Sequence, residues 1–98
     1  MNVIADLCVI PFTGRVSVRQ EVARAHQILK DTGLPTMLHG YGTNIEGDID
    51  VVFAAIKRIH QELHDQGVVR ISTTIRLGSR NDKEQSVDDK IKAVEAEL

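Results

Sequence analysis

The stretch "VVRISTTIRL", residues 68–77, alternates apolar and polar side chains over most of its length. A period of two residues predicts a β-strand with one face toward a core and the other face polar. The predicted inner face consists of Val69, Ile71, Thr73, Ile75 and Leu77, and the outer face of Arg70, Ser72, Thr74 and Arg76. A sheet with one polar face is therefore the starting point for the fold.

The sequence before this strand predicts three further strands and two helices. Val3 to Ile10 is rich in aliphatic residues and predicts a first strand that stops at Pro11. Ser17 and Gln20 have the spacing of a capping box, which predicts the start of a helix that ends at Gly33. Its apolar stripe is Val18, Val22, Ala25 and Leu29. The next residues, "TMLHGYGTNIEG", predict two short strands joined by a glycine-containing turn.

Two more helices are predicted from their caps. Asp48 is the expected N-cap of a helix that ends at Gly67, and Ser86 with Asp89 forms a capping box for a last helix. The apolar stripe of the first is Val52, Ile56, Ile59 and Leu63, and that of the second is Val87, Ile91, Val94 and Leu98. The second stripe is narrow and needs a surface to cover.

The resulting order is the βαββαβ pattern of an α+β, ferredoxin-like sandwich with an extra C-terminal helix, in one domain over residues 1–98. Both main helices would cover one face of the sheet. The opposite face would carry Asp6, Cys8 and Ile10 of the first strand beside the polar residues of the last. Such a face is either solvated or paired with another subunit.

Composition restricts the classes of function. A chain of 98 residues builds a modest core, so self-association is expected. A net charge of −2 and only three aromatic residues disfavour nucleic-acid binding. The single cysteine excludes an internal disulfide, and "VIADLCVIP" is too short and too interrupted by Asp6 for a signal peptide or membrane span. We expect a cytoplasmic protein with no membrane partner.

Three stretches have features of a phosphate loop, a zinc site and a cysteine nucleophile, but in each case another feature of the sequence disfavours that function. "GYGTNIEG", residues 40–47, has glycine spacing near that of a phosphate loop, but Asp48 stands where the lysine belongs. "HQELH", residues 60–64, lacks the glutamate directly after the first histidine that a zinc protease needs, so no metal is expected. Cys8 could be a nucleophile with His39 as its base, but its place within a strand favours an inert thiol. We expect no enzyme.

Four segments in order, "ADLCVIP", "GTNIEG", "STTIR" and "RNDKEQS", resemble the thiamine-binding, YkoF-like family also called UPF0045. The resemblance covers nearly the whole chain. It implies a ferredoxin-like subunit that pairs through its strands into a dimer, with dimers associating into a tetramer. It also implies binding of thiamine or its hydroxymethylpyrimidine half, without a cofactor or a known reaction. The loop "FTGRVSV" has fewer hydroxyls and glycines than the family's usual Pro-Gly-Thr-Ser type.

The resemblance and the polar face together give the candidate ligand-binding residues. An aminopyrimidine needs a carboxylate or carbonyl acceptor and one or two hydroxyl or amide donors. The candidates are Cys8, Ser17, Thr43, Asn44, Glu46, Thr74 and Arg76. Structural roles stay open: Ser17 as a helix cap, Thr43 as a strand former, and Glu46 beside the positive end of the second helix. The alternative functions are a structural or regulatory oligomer without such a ligand and, less favoured, an enzyme of thiamine-related metabolism.

Overall fold

Four strands and three helices make up the computed structural model, which describes residues 1–98. In chain order they are β1 (Asn2–Phe12), α1 (Arg19–Asp31), β2 (Thr36–His39), β3 (Gly42–Asp48), α2 (Ile49–Asp65), β4 (Arg70–Ser79) and α3 (Val87–Glu95). The α+β class and the predicted order of elements are confirmed. None of the helices is both long and apolar enough to cross a membrane.

The strands form one antiparallel sheet in the order β2-β3-β1-β4, with β1 between β3 and β4. Leu7 of β1 lies opposite Thr43 on one side and Ile75 on the other. One face of the sheet packs against α1 and α2, and the core lies between them. Its buried residues include Val3, Ala5, Leu7, Ile28, Leu29, Ile45, Val52, Ile59 and Leu63. We call the opposite side of the sheet the open face.

Both long strands differ at one end from their predicted bounds. The expected stop of β1 at Pro11 is wrong, because Pro11 pairs with Ile71 inside the strand. Beyond Leu7, β1 pairs with β4 alone, and a proline is tolerated at such an edge because its nitrogen need not donate to a ladder. At the start of β4, Val69 is 89% exposed and Val68 is buried instead. The alternation of inward side chains therefore begins only at Ile71.

The start of α1 corrects a second prediction. Ser17 does not cap this helix: Val18 occupies the N-cap position and makes no side-chain capping bond. The preceding segment is shaped instead by the Thr13 hydroxyl, which accepts from the Arg15 N–H, and by an ion pair between Arg15 and Glu21. Glu21 is buried on α1, at a position where the apolar stripe predicted none. Charge pairing thus fixes this end of the helix.

The predicted starts of α2 and α3 are confirmed. The Asp48 side chain accepts from the Asp50 N–H, and Ser86 and Asp89 form a reciprocal capping box. Hydrogen bonding to Ser86, chiefly from its backbone, lowers the pKa of Asp89 below its usual value. No residue of α3 is buried. Ile91 and Val94 of its predicted stripe are exposed to solvent in the single chain, and Leu98, predicted as the end of the stripe, lies beyond the helix and is exposed as well.

Candidate functional site

The open face gathers polar side chains from three neighbouring strands into one line. Asp6 of β1 lies opposite Asn44 of β3 and opposite Arg76 of β4. Directly opposed residues of antiparallel strands point to the same side, with Cβ atoms roughly 5 Å apart. Because Ala5 and Leu7 point into the core, this trio points away from it. We call Asn44, Asp6 and Arg76 the polar row.

The next line along the strands holds Cys8 and Thr74, which oppose each other on β1 and β4. Both residues are therefore on the open face beside the polar row. Cys8 is only partly buried and forms no disulfide. Four of the predicted site residues thus lie in these two adjacent lines of the open face: Cys8, Asn44, Thr74 and Arg76.

A histidine from the edge strand fixes the carboxylate of the polar row. His39 Nε2 lies 2.6 Å from Asp6 Oδ1, and the ring Nδ1 accepts from the Tyr41 N–H at 3.2 Å. Since Nδ1 is an acceptor here, Nε2 carries the proton that is donated to Asp6. Both ring nitrogens of His39 therefore have partners within the protein. Asp6 is held in one orientation while its side chain stays 37% exposed.

Glu46 lies one line further toward the start of β1, opposite Ile4 on the open face. Its Oε2 accepts a hydrogen bond of 2.6 Å from the N–H of Val87, the first residue of α3. The carboxylate thus bonds to the start of α3, a contact that the prediction of a place beside the positive end of α2 did not include. A helix N-terminus is a favourable place for a carboxylate because of its unpaired N–H groups.

The sheet and the segment leading into α3 enclose a groove of about 1000 Å³. Its floor includes Ile4, Glu46 and Gly78, and its wall includes Lys83, Ser86 and Lys90. The volume is at the upper end of the range of roughly 300–1,000 Å³ typical of small-molecule sites. The polar row does not line this groove but continues its floor, because Asp6 and Asn44 are two residues from Ile4 and Glu46 along their strands.

Two predicted site residues lie elsewhere. Thr43 is buried on the helix side of the sheet, where its hydroxyl is 2.9 Å from His26 Nδ1 of α1. Ser17 is exposed in the segment between β1 and α1, on neither the polar row nor the groove. Thr43 and Glu46 are therefore on opposite sides of one strand.

Asp6 and His39 are not among the ligand-binding residues predicted from sequence, although Asp6 is predicted on the open face. The pairing of His39 with Asp6 depends on the offset between β2 and β1, which are separated by β3 in the sheet. Gly42, opposite His39, contributes no side chain between them. The sequence offered one signal for this pair. Asp6 is a polar residue at a predicted outward position, and Gly42 of the neighbouring strand has no side chain to separate it from a partner.

Each of the two histidines of "HQELH" contacts another residue of the protein. His60 Nε2 is 2.8 Å from the Thr73 hydroxyl, and His64 Nδ1 is 2.7 Å from the Val68 carbonyl oxygen. The first contact ties α2 to β4, and the second closes the end of α2. Both nitrogens therefore serve local structure.

A family model described as "Thiamine-binding protein" matches residues 5–95 of the chain. A UPF0045 protein of Synechocystis is 50% identical over 98 residues, which are 100% of this chain and 81% of the relative. A UPF0045 protein of Eremothecium gossypii is 36% identical over 99 residues and covers 100% of this chain and 94% of the relative.

Solved structures share the fold. A protein of Methanocaldococcus jannaschii has a TM-score of 0.89 at 31% identity, covering 99% of this chain and 98% of its own. A protein of Thermotoga maritima, whose name suggests a role in thiamine biosynthesis or salvage, has a TM-score of 0.83 at 15% identity, with coverages of 96% and 99%. The second likeness concerns the fold alone.

Proposed function

The chain belongs to the thiamine-binding protein family, and we propose that it is a non-catalytic binding protein for thiamine or its hydroxymethylpyrimidine half. The observation that carries this proposal is Glu46 on the floor of the groove, with one carboxylate oxygen bonded to Val87 and the other without a protein partner. A carboxylate has about four acceptor positions, so Glu46 can still accept from a ligand.

The chemistry of an aminopyrimidine fits the groups around Glu46. Its exocyclic amine is a donor that a carboxylate accepts, and its ring nitrogens are acceptors. Asn44 lies two residues before Glu46 on β3 and points to the same side, about 7 Å along the strand. Its amide can donate to the ring. Arg76 and Thr74 add further donors across the sheet. In our proposal the ligand lies on the floor of the groove and extends toward the polar row.

The non-catalytic character is supported by the hydrogen bonds of His39. A general base for Cys8 needs a ring nitrogen with a free lone pair. In this chain His39 Nε2 donates to Asp6, and Nδ1 accepts from Tyr41. The histidine is thus suited to orienting Asp6 rather than to activating a thiol. Binding without turnover accounts for such an arrangement.

We also propose that the protein works as a strand-paired dimer that assembles into a tetramer. β4 is an edge strand of ten residues, and Ile75 and Leu77 on it are 39% and 38% exposed. A long edge with apolar side chains is a site for pairing with another chain. The exposed stripe of α3 offers a second apolar surface.

Titration calorimetry with thiamine and with hydroxymethylpyrimidine tests the ligand. Glu46→Gln keeps the size of the side chain and removes its charge, so we expect binding to weaken by roughly 1–3 kcal/mol, the scale of a hydrogen bond to a charged group. Thr43→Val is the matched control on the same strand, because Thr43 faces the helices. The affinity of the Thr43→Val variant for either compound should stay within about twofold of the wild type, a difference of less than ~0.5 kcal/mol.

Three outcomes are informative. Selective loss in Glu46→Gln supports the proposed site. Equal affinity in both variants and the wild type would mean that Glu46 serves only to hold α3. Failure of the wild type to bind either compound would favour the structural or regulatory oligomer without this class of ligand.

A further inference from the structure

The contact between Glu46 and Val87 is the one hydrogen bond that joins α3 to the sheet, across 41 positions of sequence. None of the residues of α3 is buried, so packing within the single chain does little to hold the helix in place. One carboxylate therefore contacts the helix through Oε2, while Glu46 also lines the groove and its Oε1 has no partner in the protein.

The amide of Val87 is free for this contact because the capping box uses its neighbours. Ser86 Oγ accepts from the Asp89 N–H at 3.0 Å, and Asp89 Oδ2 accepts from the Ser86 N–H at 3.0 Å. The first amides of a helix have no partner within the helix. The local sequence thus builds a rigid helix start and leaves the Val87 N–H for Glu46.

We propose that the backbone N–H of Val87 is a positioning donor for ligand binding, which makes α3 a part of the site. This inference rests on the proposed function. A glutamate side chain has several rotatable bonds, and fixing it on binding costs conformational entropy. The bond from Val87 fixes Glu46 on the floor of the groove before the ligand arrives and leaves Oε1 available to it. Such preorganisation raises affinity without any contact between Val87 and the ligand.

Val87→Pro removes this donor with little other change. Proline lacks an N–H and is favoured at the first position of a helix, which Val87 occupies. The residue before a proline should be extended, and Ser86 already has φ −94° and ψ 168°. Both bonds of the capping box remain available. Val87→Ala is the matched control, because it shortens the same side chain and keeps the N–H.

The affinity for hydroxymethylpyrimidine, measured by calorimetry, should fall roughly 3–10-fold in Val87→Pro, as for the loss of one hydrogen bond. It should stay within about twofold in Val87→Ala, as for a change that removes no polar contact. In a Glu46→Ala background, Val87→Pro should weaken binding no further, because the donor acts only through Glu46. A merely structural effect of proline would persist in that background.

The outcomes separate this inference from the proposed function. Unchanged affinity in Val87→Pro, or an equal loss in Val87→Ala, overturns the positioning role while leaving the ligand assignment intact. A further loss on the Glu46→Ala background overturns it as well. If the wild type binds neither compound, the proposed function fails and the positioning role fails with it. Light scattering on each variant checks that the assembly is unchanged.

Discussion

Replacing Gly42 with alanine should severely destabilise the protein, because β3 begins there against the backbone of β1. A Cβ atom on Gly42 would lie 2.0 Å from the Leu7 carbonyl oxygen and 2.9 Å from the Leu7 carbonyl carbon. Ordinary contact requires about 3.5 Å, so the two strands would have to separate by roughly 1.5 Å at this point. The obstructing atoms belong to the backbone and cannot rotate away.

The size of the effect follows from what the separation disrupts. Overpacking at a rigid site costs about 1–3 kcal/mol. The neighbouring pair of Leu7 and Thr43 would be strained as well, and each lost hydrogen bond costs about 0.5–1.5 kcal/mol. We therefore expect a loss of about 2–5 kcal/mol from the free energy of unfolding, a large share of the roughly 5–15 kcal/mol typical of a domain.

Urea denaturation followed by circular dichroism measures this loss. With a slope of about 2 kcal/mol/M, the midpoint should fall by about 1–2.5 M. Gly40→Ala is the control from the same turn, because a Cβ there meets no atom within 4 Å. It should change the stability by less than about 0.5 kcal/mol. Both proteins are compared at one concentration, since self-association adds to apparent stability. Equal midpoints for the two variants would refute the close approach of Gly42 to Leu7.

Three further predictions concern other parts of the molecule. Thr43→Val should lower the free energy of unfolding by about 1–3 kcal/mol, measured in urea, because it leaves His26 without its buried partner. The hydrogen bond from Arg80 lowers the pKa of Asp82 to about 2, so an NMR titration of this carboxyl should have its midpoint there. Because the folded pKa is depressed, the ion pair stabilises the fold above pH ~4 and its contribution disappears as the pH falls toward 2. Light scattering at micromolar concentration should detect a dimer or tetramer whose mass falls in Val94→Glu, and a monomeric wild type would contradict the assembly.

The elements of the fold could be predicted because their signals are local. The caps at Asp48 and Ser86 need only a few neighbouring residues, and both are confirmed. The predicted cap at Ser17 is wrong because a pair of side chains, rather than a cap, holds this segment. Its segment is held by an ion pair between Arg15 and Glu21, and nothing in the spacing of polar residues marks that pair in advance. From sequence alone, a charged residue that is buried on a helix cannot be distinguished from one that faces solvent, because its partner is not known.

The candidate site was only partly accessible from sequence. Alternation along each strand sufficed to assign Cys8, Thr74 and Arg76 to one side of the sheet. The register between strands decides which of them meet, and this depends on contacts between residues distant in sequence. The link from Glu46 to Val87 is of the same kind, since it joins β3 to a helix start 41 positions later. Capping signals predicted where α3 begins but not where its free amide points.

Stability and binding depend on the same register of β3. Ile45 points into the core at 0% exposure, while its neighbour Glu46 points to the groove. Because side chains alternate, a slip of one residue would bury Glu46 and expose Ile45. Gly42 allows the close approach to Leu7 that sets this register at the start of the strand. A substitution at Gly42 should therefore weaken ligand binding and also lower the stability of the fold. A substitution at Glu46 should weaken binding without lowering the stability.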